Sequence, residues 1–156
     1  MAIHSDVKDY LDKSGVAYEL ISHTQVFSCI EEAKALGIEA GEVAKTLVVK
    51  IKDKRVLVIL PGSLRLDMGK LKDTLESSHA RLLSEEEMGT EFPRYEIGAL
   101  PPLGELFGFP VYVDRRLLEH EVIIFTGGTH TDSIKIKCVD FINLINPDIV
   151  DLAEEK

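Results

Sequence analysis

Three segments carry residue types and spacings that can do chemistry. In the first, Val43-Ala44-Lys45-Thr46-Leu47-Val48-Val49, a lysine enters a run of aliphatic and β-branched residues. The two-residue period of a strand puts Lys45 on one face with Leu47, Val49 and Ile51, and Thr46, Val48 and Lys50 on the other. The first face is the more apolar and is expected to look inward. An unpaired ammonium is costly to bury. Lys45 therefore either snorkels to water or points into a pocket as a fixed cation. There it could hold a carbonyl or phosphate oxygen, or stabilise charge growing in a transition state. The second segment is Gly98-Ala99-Leu100-Pro101-Pro102-Leu103-Gly104. Its glycines permit unusual backbone angles and its prolines stiffen the chain between them. It reads as a rigid connection, or as a loop that holds peptide groups at fixed positions. The third is Thr126-Gly127-Gly128-Thr129-His130-Thr131-Asp132, longer than a tight hairpin needs. Consecutive glycines let backbone N–H groups converge on an anion or a polarised carbonyl. His130 could orient a water or bond a substrate; the plainer alternative is an exposed loop with an idle histidine.

Other chemistries fail on the same residues. Gly41-Glu42-Val43-Ala44-Lys45-Thr46 is close to a phosphate-binding loop, but Ala44 stands where glycine is needed and a strand, not a helix, follows. The histidines, His4, His23, His79, His120 and His130, have no metal-ligand spacing, and the cysteines are far apart, so no metal is expected. No GxSxG nucleophile elbow is present. Cys138 alternates with Ile134 and Ile136 and reads as core. Cys29 falls in the first turn of a helix, where a thiol can be activated; a packed small residue is the plainer reading.

The elements that must position these segments follow from composition and pattern. The chain has 156 residues, 45% hydrophobic and 29% charged, enough for one folded domain with a real core. No apolar run approaches the ~20 residues of a membrane span. The opening MAIHSDVKDY has no charged stretch followed by an apolar one, so no signal peptide is expected. Two cysteines make no disulfide framework, which suits a reducing cytoplasm. Eighteen basic and 27 acidic side chains give a net charge of −9, against a grip on nucleic acid by global charge. A local basic cluster, Lys50, Lys52, Lys54 and Arg55, reads either as a track for nucleic acid or, more plainly, as a solvated strand face.

A helix is expected from Ser5 to Ser14, ended by Gly15, and a short strand over 18–21. Ser28-Cys29-Ile30-Glu31 fits a capping box opening a helix that runs to about Leu36 and stops at Gly37. Strands over Ala44–Ile51 and 56–60 flank a polar hairpin turn. Asp67 can cap a helix carrying Leu71 and Leu75. A strand over 80–83 precedes a second capping box, Ser84-Glu85-Glu86-Glu87, whose helix ends before Pro93. Strands over 111–113, 122–125 and 133–138, a short helix at Arg115–Glu119 after Asp114, and a helix over 140–146 complete the pattern. Irregular interleaving with hairpins argues for α+β with a mixed, mostly antiparallel sheet. Residues 1–146 are expected to form one domain, and the acidic segment 147–156 a tail that frays or docks loosely.

The order VAKTLVV, VLVILPGSLRLDMGKL, SEEEM, GALPPLG, PVYVD, FTGGTHTDSIKI and a final short helix resembles the YbaK/prolyl-tRNA-synthetase-associated domain family of aminoacyl-tRNA deacylases. The resemblance covers most of the chain. It implies a compact α+β domain with a barrel-like sheet, and hydrolysis of the ester joining a wrong amino acid to tRNA, such as alanine or cysteine on tRNA(Pro). By the resemblance the family's key lysine falls on Lys45, beside Thr46. One pocket loop falls on Gly98, Pro101, Pro102 and Gly104, and the second wall on Gly127, Gly128 and His130. Asp114 is expected to be structural. Pro101-Pro102-Leu103 departs from the serine–proline–phenylalanine of many members, so the amino acid stays open, as does the choice of nucleophile between water and a substrate's own thiol. No cofactor or metal is implied. The expected partners are aminoacyl-tRNA, bound weakly by this acidic protein, and prolyl-tRNA synthetase. The alternative is a non-catalytic module of the same fold that recognises an aminoacyl or nucleotide group or docks on a synthetase; a general hydrolase of small esters is a third reading.

Overall fold

The computed structural model describes residues 5–154, so His4 lies outside the described residues. In chain order the elements are α1 (Ser5–Ser14), β1 (Glu19–Ser22), α2 (Cys29–Leu36), β2 (Ala44–Ile51), β3 (Lys54–Pro61), α3 (Met68–Leu75), β4 (Arg81–Leu82), α4 (Glu85–Glu91), β5 (Val111–Asp114), β6 (Val122–Thr126), β7 (Asp132–Lys137), α5 (Cys138–Ile145) and β8 (Asp148–Val150). A short 3-10 helix, Arg115–Glu119, follows β5, with Asp114 as its cap.

The helix boundaries follow from side-chain caps. Ser28 accepts the Glu31 N–H and opens α2, and Gly37 closes it at φ 70°. The Glu31 carboxylate reaches past Ser28 to the Phe27 N–H instead of completing the box. Asp67 opens α3 in the same way, and Ser84 and Glu87 form a reciprocal box at α4. Each such cap is worth roughly 1 kcal/mol. The final helix begins at Cys138, earlier than its pattern suggests, so Cys138 is buried in a first helical turn and not along a strand.

The strands form two sheets, in the orders β4-β2-β3-β5-β8 and β1-β7-β6. Pairing is mostly antiparallel, with β3–β5 and β5–β8 parallel. The expected barrel does not close. Among the described residues the two sheets are joined by one parallel bridge, Val43 to Ile124. A barrel needs continuous pairing around its circumference, and β2 and β6 do not supply it.

Both faces of the β2–β3 hairpin are covered, where the alternation suggested one. Val48, Leu57 and Ile59 pack into the main core with Phe125, Ile134 and Phe141. Val49, Val58 and Leu60 pack into a second core with Leu71 of α3 and with Leu152 and Ala153. Burying each such side chain contributes about 2 kcal/mol. The segment expected to fray supplies part of that second core. β8 adds an edge strand beside β5, and Leu152 and Ala153 are fully buried. Asp114 holds them there: its Oδ2 accepts both their N–H groups, at 2.7 and 2.8 Å. It is a structural aspartate, as expected.

Candidate active site

Beyond the Val43–Ile124 bridge β2 and β6 are unpaired, and a gap opens between the start of β2 and the end of β6. The N-terminus of α2 and the loops around Gly98 and His130 wall it in. The result is a cleft of about 270 Å³ lined by Val26, Phe27, Ser28, Cys29, Glu32, Ala44, Lys45, Thr46, Leu47, Gly98, Leu100, Thr126 and His130.

Lys45 reaches this cleft from the start of β2. Its stem is half-buried and its Nζ donates to the Leu64 carbonyl at 2.9 Å. That single bond fixes the ammonium at the cleft wall and leaves donors to spare. Thr46 comes next along the edge. The Leu83 N–H bonds the Val48 carbonyl on the side of β2 away from β3. Alternation therefore turns the Thr46 peptide group the same way, toward the open edge.

His130 ties the loops together. Its Nε2 lies 2.6 Å from the Ile97 carbonyl oxygen, which can only accept, so Nε2 carries the proton. Its backbone N–H donates to Glu96 Oε2, and its carbonyl accepts the Val26 N–H at 3.1 Å. The ring also lies 5.0 Å from that of Phe27, which is 67% exposed at the mouth. Gly98 takes φ 86°, and a Cβ there would stand 3.4 Å from His130 Cε1. The Glu96 N–H joins the two glycine loops by bonding the Gly128 carbonyl.

Lys45, Thr46, Gly98 and His130 thus converge on one cleft. Pro101, Pro102 and Gly104 are buried behind the Gly98 loop and do not line it. A Cβ on Gly104 would fall 2.3 Å from Val111 Cγ2, so this glycine serves close packing. Gly127 and Gly128 are buried behind His130, and the Gly127 N–H is taken by the Asp132 carbonyl. Asp132 braces the loop from within, accepting the hydroxyls of Ser22, Thr129 and Thr131.

Two lining residues carry perturbed acids. Burial, and then the nearby Glu32, push the Cys29 thiol up to about 11 against the pull of Lys45. Cys29 is therefore a protonated wall residue at neutral pH. Burial likewise raises Glu32 above the ordinary carboxylate range, opposed by its bond from Ser133 and by His23 and His130. Glu32 has a signal in the chain pattern. With Cys29, Ala33 and Leu36 it falls on the inward stripe of α2, where a carboxylate is out of place. Among the described residues, no group of three or more metal-ligating side chains converges.

Comparison with known proteins identifies the family of the chain. Residues 23–144 match the aminoacyl-tRNA editing domain. The multifunctional Ser/Thr-tRNA deacylase ProXp-y of Escherichia coli K12 is 26% identical over 152 residues, covering 94% of this chain and 90% of its own. EbsC of Enterococcus faecalis, described as a candidate Cys-tRNA(Pro)/Cys-tRNA(Cys) deacylase, is 26% identical over 140 residues, 89% of this chain and 85% of its own. The crystal structure of a candidate trans-editing enzyme for prolyl tRNA synthetase superposes with a TM-score of 0.86 at 26% identity, covering 97% of each chain. With its match spanning most of the sequence and its cleft at the sheet junction, the chain belongs to the YbaK-type aminoacyl-tRNA editing domain family.

Proposed function

We propose that this protein hydrolyses the ester of a mischarged tRNA in trans, with tRNA(Pro) carrying alanine or cysteine as the leading substrates. The observation that carries the reading is the cleft itself, where Lys45 stands with Gly98 and His130 in a space of about 270 Å³. That is room for a small side chain and the ester. Val26, Ala44, Leu47 and Leu100 give it apolar walls, among which Lys45, Thr46, Glu32 and His130 set polar groups.

An aminoacyl ester is already activated, so positioning and charge stabilisation suffice. Lys45 offers its remaining N–H donors to a substrate oxygen or to the terminal phosphate. The Thr46 peptide N–H faces the same opening and can meet the oxyanion. Gly98, lacking a side chain, lets the ester approach the His130 wall. Phe27 offers an exposed ring at the mouth against which a terminal base can stack. The bond to the Leu64 carbonyl positions the Lys45 Nζ at the cleft wall and supplies no base to free it as a nucleophile, which favours electrostatic work over a covalent lysine intermediate. Net charge −9 fits weak intrinsic tRNA binding, with prolyl-tRNA synthetase as the partner that supplies substrate.

The test is loss of ester from tRNAs charged with alanine, cysteine, serine, threonine and proline, with and without prolyl-tRNA synthetase. Selective loss from one mischarged tRNA(Pro) is the expected result. Selective loss of serine or threonine keeps the deacylase and corrects its substrate. No loss on any charged tRNA overturns the reading in favour of a binding module.

A further inference from the structure

Glu32 is a charged wall of the cleft to which the mechanism above gives no task. It is 2% exposed, and the wholly buried Ser133 of β7 donates its hydroxyl to Glu32 Oε2. Every buried side-chain nitrogen or oxygen among the described residues has a hydrogen-bond partner. Glu32 Oε1 shows no such bond, so it is not sealed in the protein; it faces the cleft that Glu32 lines.

On the other side of Ser133 stands His23, which follows β1. Its Nε2 lies 2.8 Å from Ser133 Oγ, and its Nδ1 lies 2.7 Å from the Thr24 carbonyl oxygen. The carbonyl only accepts, so Nδ1 keeps a proton. Ser133 has one hydroxyl hydrogen. If it goes to Glu32, the Ser133 oxygen accepts from His23 Nε2–H, and the pair is carboxylate and imidazolium. If it goes to His23, the Ser133 oxygen accepts from a protonated Glu32. Both arrangements satisfy every partner, and they differ only in where one proton sits. His23 lines a second cleft of about 420 Å³, together with Ser22, Glu42 and Lys135. The chain Glu32–Ser133–His23 therefore runs through the wall between two clefts.

We propose that Glu32 is the base of the hydrolytic step and that Ser133 and His23 relay its proton to the second cleft. The proposal rests on the deacylase reading. A water at Oε1 gives a proton to the carboxylate as its oxygen bonds the ester carbon. The bond from that carbon to the ribose oxygen then breaks. The ribose oxygen keeps the electron pair and takes a proton from solvent water. The Glu32 carboxyl then turns about its Cγ–Cδ bond to bring that proton to Ser133 Oγ, Ser133 passes its own hydroxyl hydrogen to His23 Nε2, and His23 releases a proton to solvent, where it neutralises the hydroxide left behind. Glu32 is the catalytic group; Ser133 and His23 act through it. The groups that face Glu32 are Cys29 on α2, Ser133 and His23, and His130, with Lys45 beyond Cys29. Glu42 and Lys135 share the cleft of His23.

The experiment is a pH–rate profile for deacylation by Glu32→Gln, His23→Gln and Ser133→Ala beside the wild type, with thermal unfolding of each. Glu32→Gln retains shape but cannot take a proton. Its kcat is expected to fall about a hundredfold or more with KM little changed, and the acidic limb to vanish. His23→Gln and Ser133→Ala remove a cation or a donor that favours the carboxylate, so their acidic limbs move to higher pH. A Glu32→Gln protein with wild-type kcat and an unchanged limb overturns the base and leaves the deacylase reading standing. A separate measurement needs no tRNA. The His23 ring resonances, followed by NMR against pH, should show a second inflection from Glu32 that Glu32→Gln and Ser133→Ala both abolish. Its absence overturns the relay. A wild type inactive on every charged tRNA fails the deacylase reading and, with it, the catalytic use of Glu32, whereas the NMR titration still decides the relay.

Discussion

At the scale of single residues, chemistry in this protein depends on which polar groups the fold leaves uncommitted. Lys45 spends one donor on Leu64, His130 spends Nε2 on Ile97, and Cys29 holds its proton. Alkylation of Cys29 should accordingly show a rate that climbs up to a midpoint near pH 11, where burial has pushed the thiol. A midpoint near about pH 8.5, the free-cysteine value, would contradict that environment. Gly98 is the second sensitive point. An alanine there takes an unfavourable φ of 86° and sets a methyl in contact with His130. Gly98→Ala should cost about 1–2 kcal/mol in chemical denaturation and raise KM for deacylation. Lys45, Gly98 and His130 could be singled out in the sequence because a lysine in an apolar strand and glycines in a long turn are locally anomalous. Glu32 is marked only by its place on the inward stripe of α2, and Ser133 is ordinary among its neighbours. Only the meeting of α2 with β7 makes them a pair.

At the scale of elements, caps and hairpins were legible because their causes are local. Ser28, Asp67 and Ser84 each accept an N–H three residues on, and Lys52 turns the β2–β3 hairpin at φ 56°. What was not legible is non-local. The parting of β2 from β6 creates the cleft, and no residue pattern announces where two strands stop pairing. The docking of α2 on the end of β3 is equally hidden, and it depends on Gly62. A Cβ at this position would lie 2.6 Å from Cys29 Cβ and 2.8 Å from the Ala40 carbonyl oxygen. Gly62→Ala should push α2 outward, lower stability by about 1–3 kcal/mol in denaturant melts, and reduce deacylation by displacing Glu32 and Cys29. The C-terminal strand has its own anchor in Asp114. Asp114→Asn removes the buried partner of Arg116 and weakens both bonds to residues 152 and 153. A loss on the order of 3 kcal/mol is expected, with hydrogen exchange rising first along β8.

At the scale of the whole molecule, several cations of an acidic body are tied to carboxylates. Lys70 and Arg116 hold the Asp151 carboxyl below the usual carboxylate range, and Arg55 does the same for Glu91. A carboxylate whose folded pKa is depressed adds stability that is complete above its unfolded value and is lost as pH falls through the folded one. The melting temperature should therefore hold from about pH 7 to about pH 5 and drop below about pH 4. Salt should shrink that drop, because the pairs reach solvent. The fold class and the main antiparallel hairpins were readable from pattern at this scale. The split into two sheets was not, since it depends on where β2 and β6 stop pairing, nor was the second core beneath α3, which draws on a C-terminal segment whose acidic composition hides the buried Leu152 and Ala153.

The central claim is that the cleft opened by β2 and β6 acts on aminoacyl-tRNA through Lys45. The most direct measurement compares wild type and Lys45→Ala on the mischarged tRNA that the wild type selects, with melting temperatures taken on both. The account predicts a loss of at least about a hundredfold in kcat/KM, the scale for removing one transition-state donor, at a nearly unchanged melting temperature. A Lys45→Ala protein that folds and still clears the ester at the wild-type rate would contradict it.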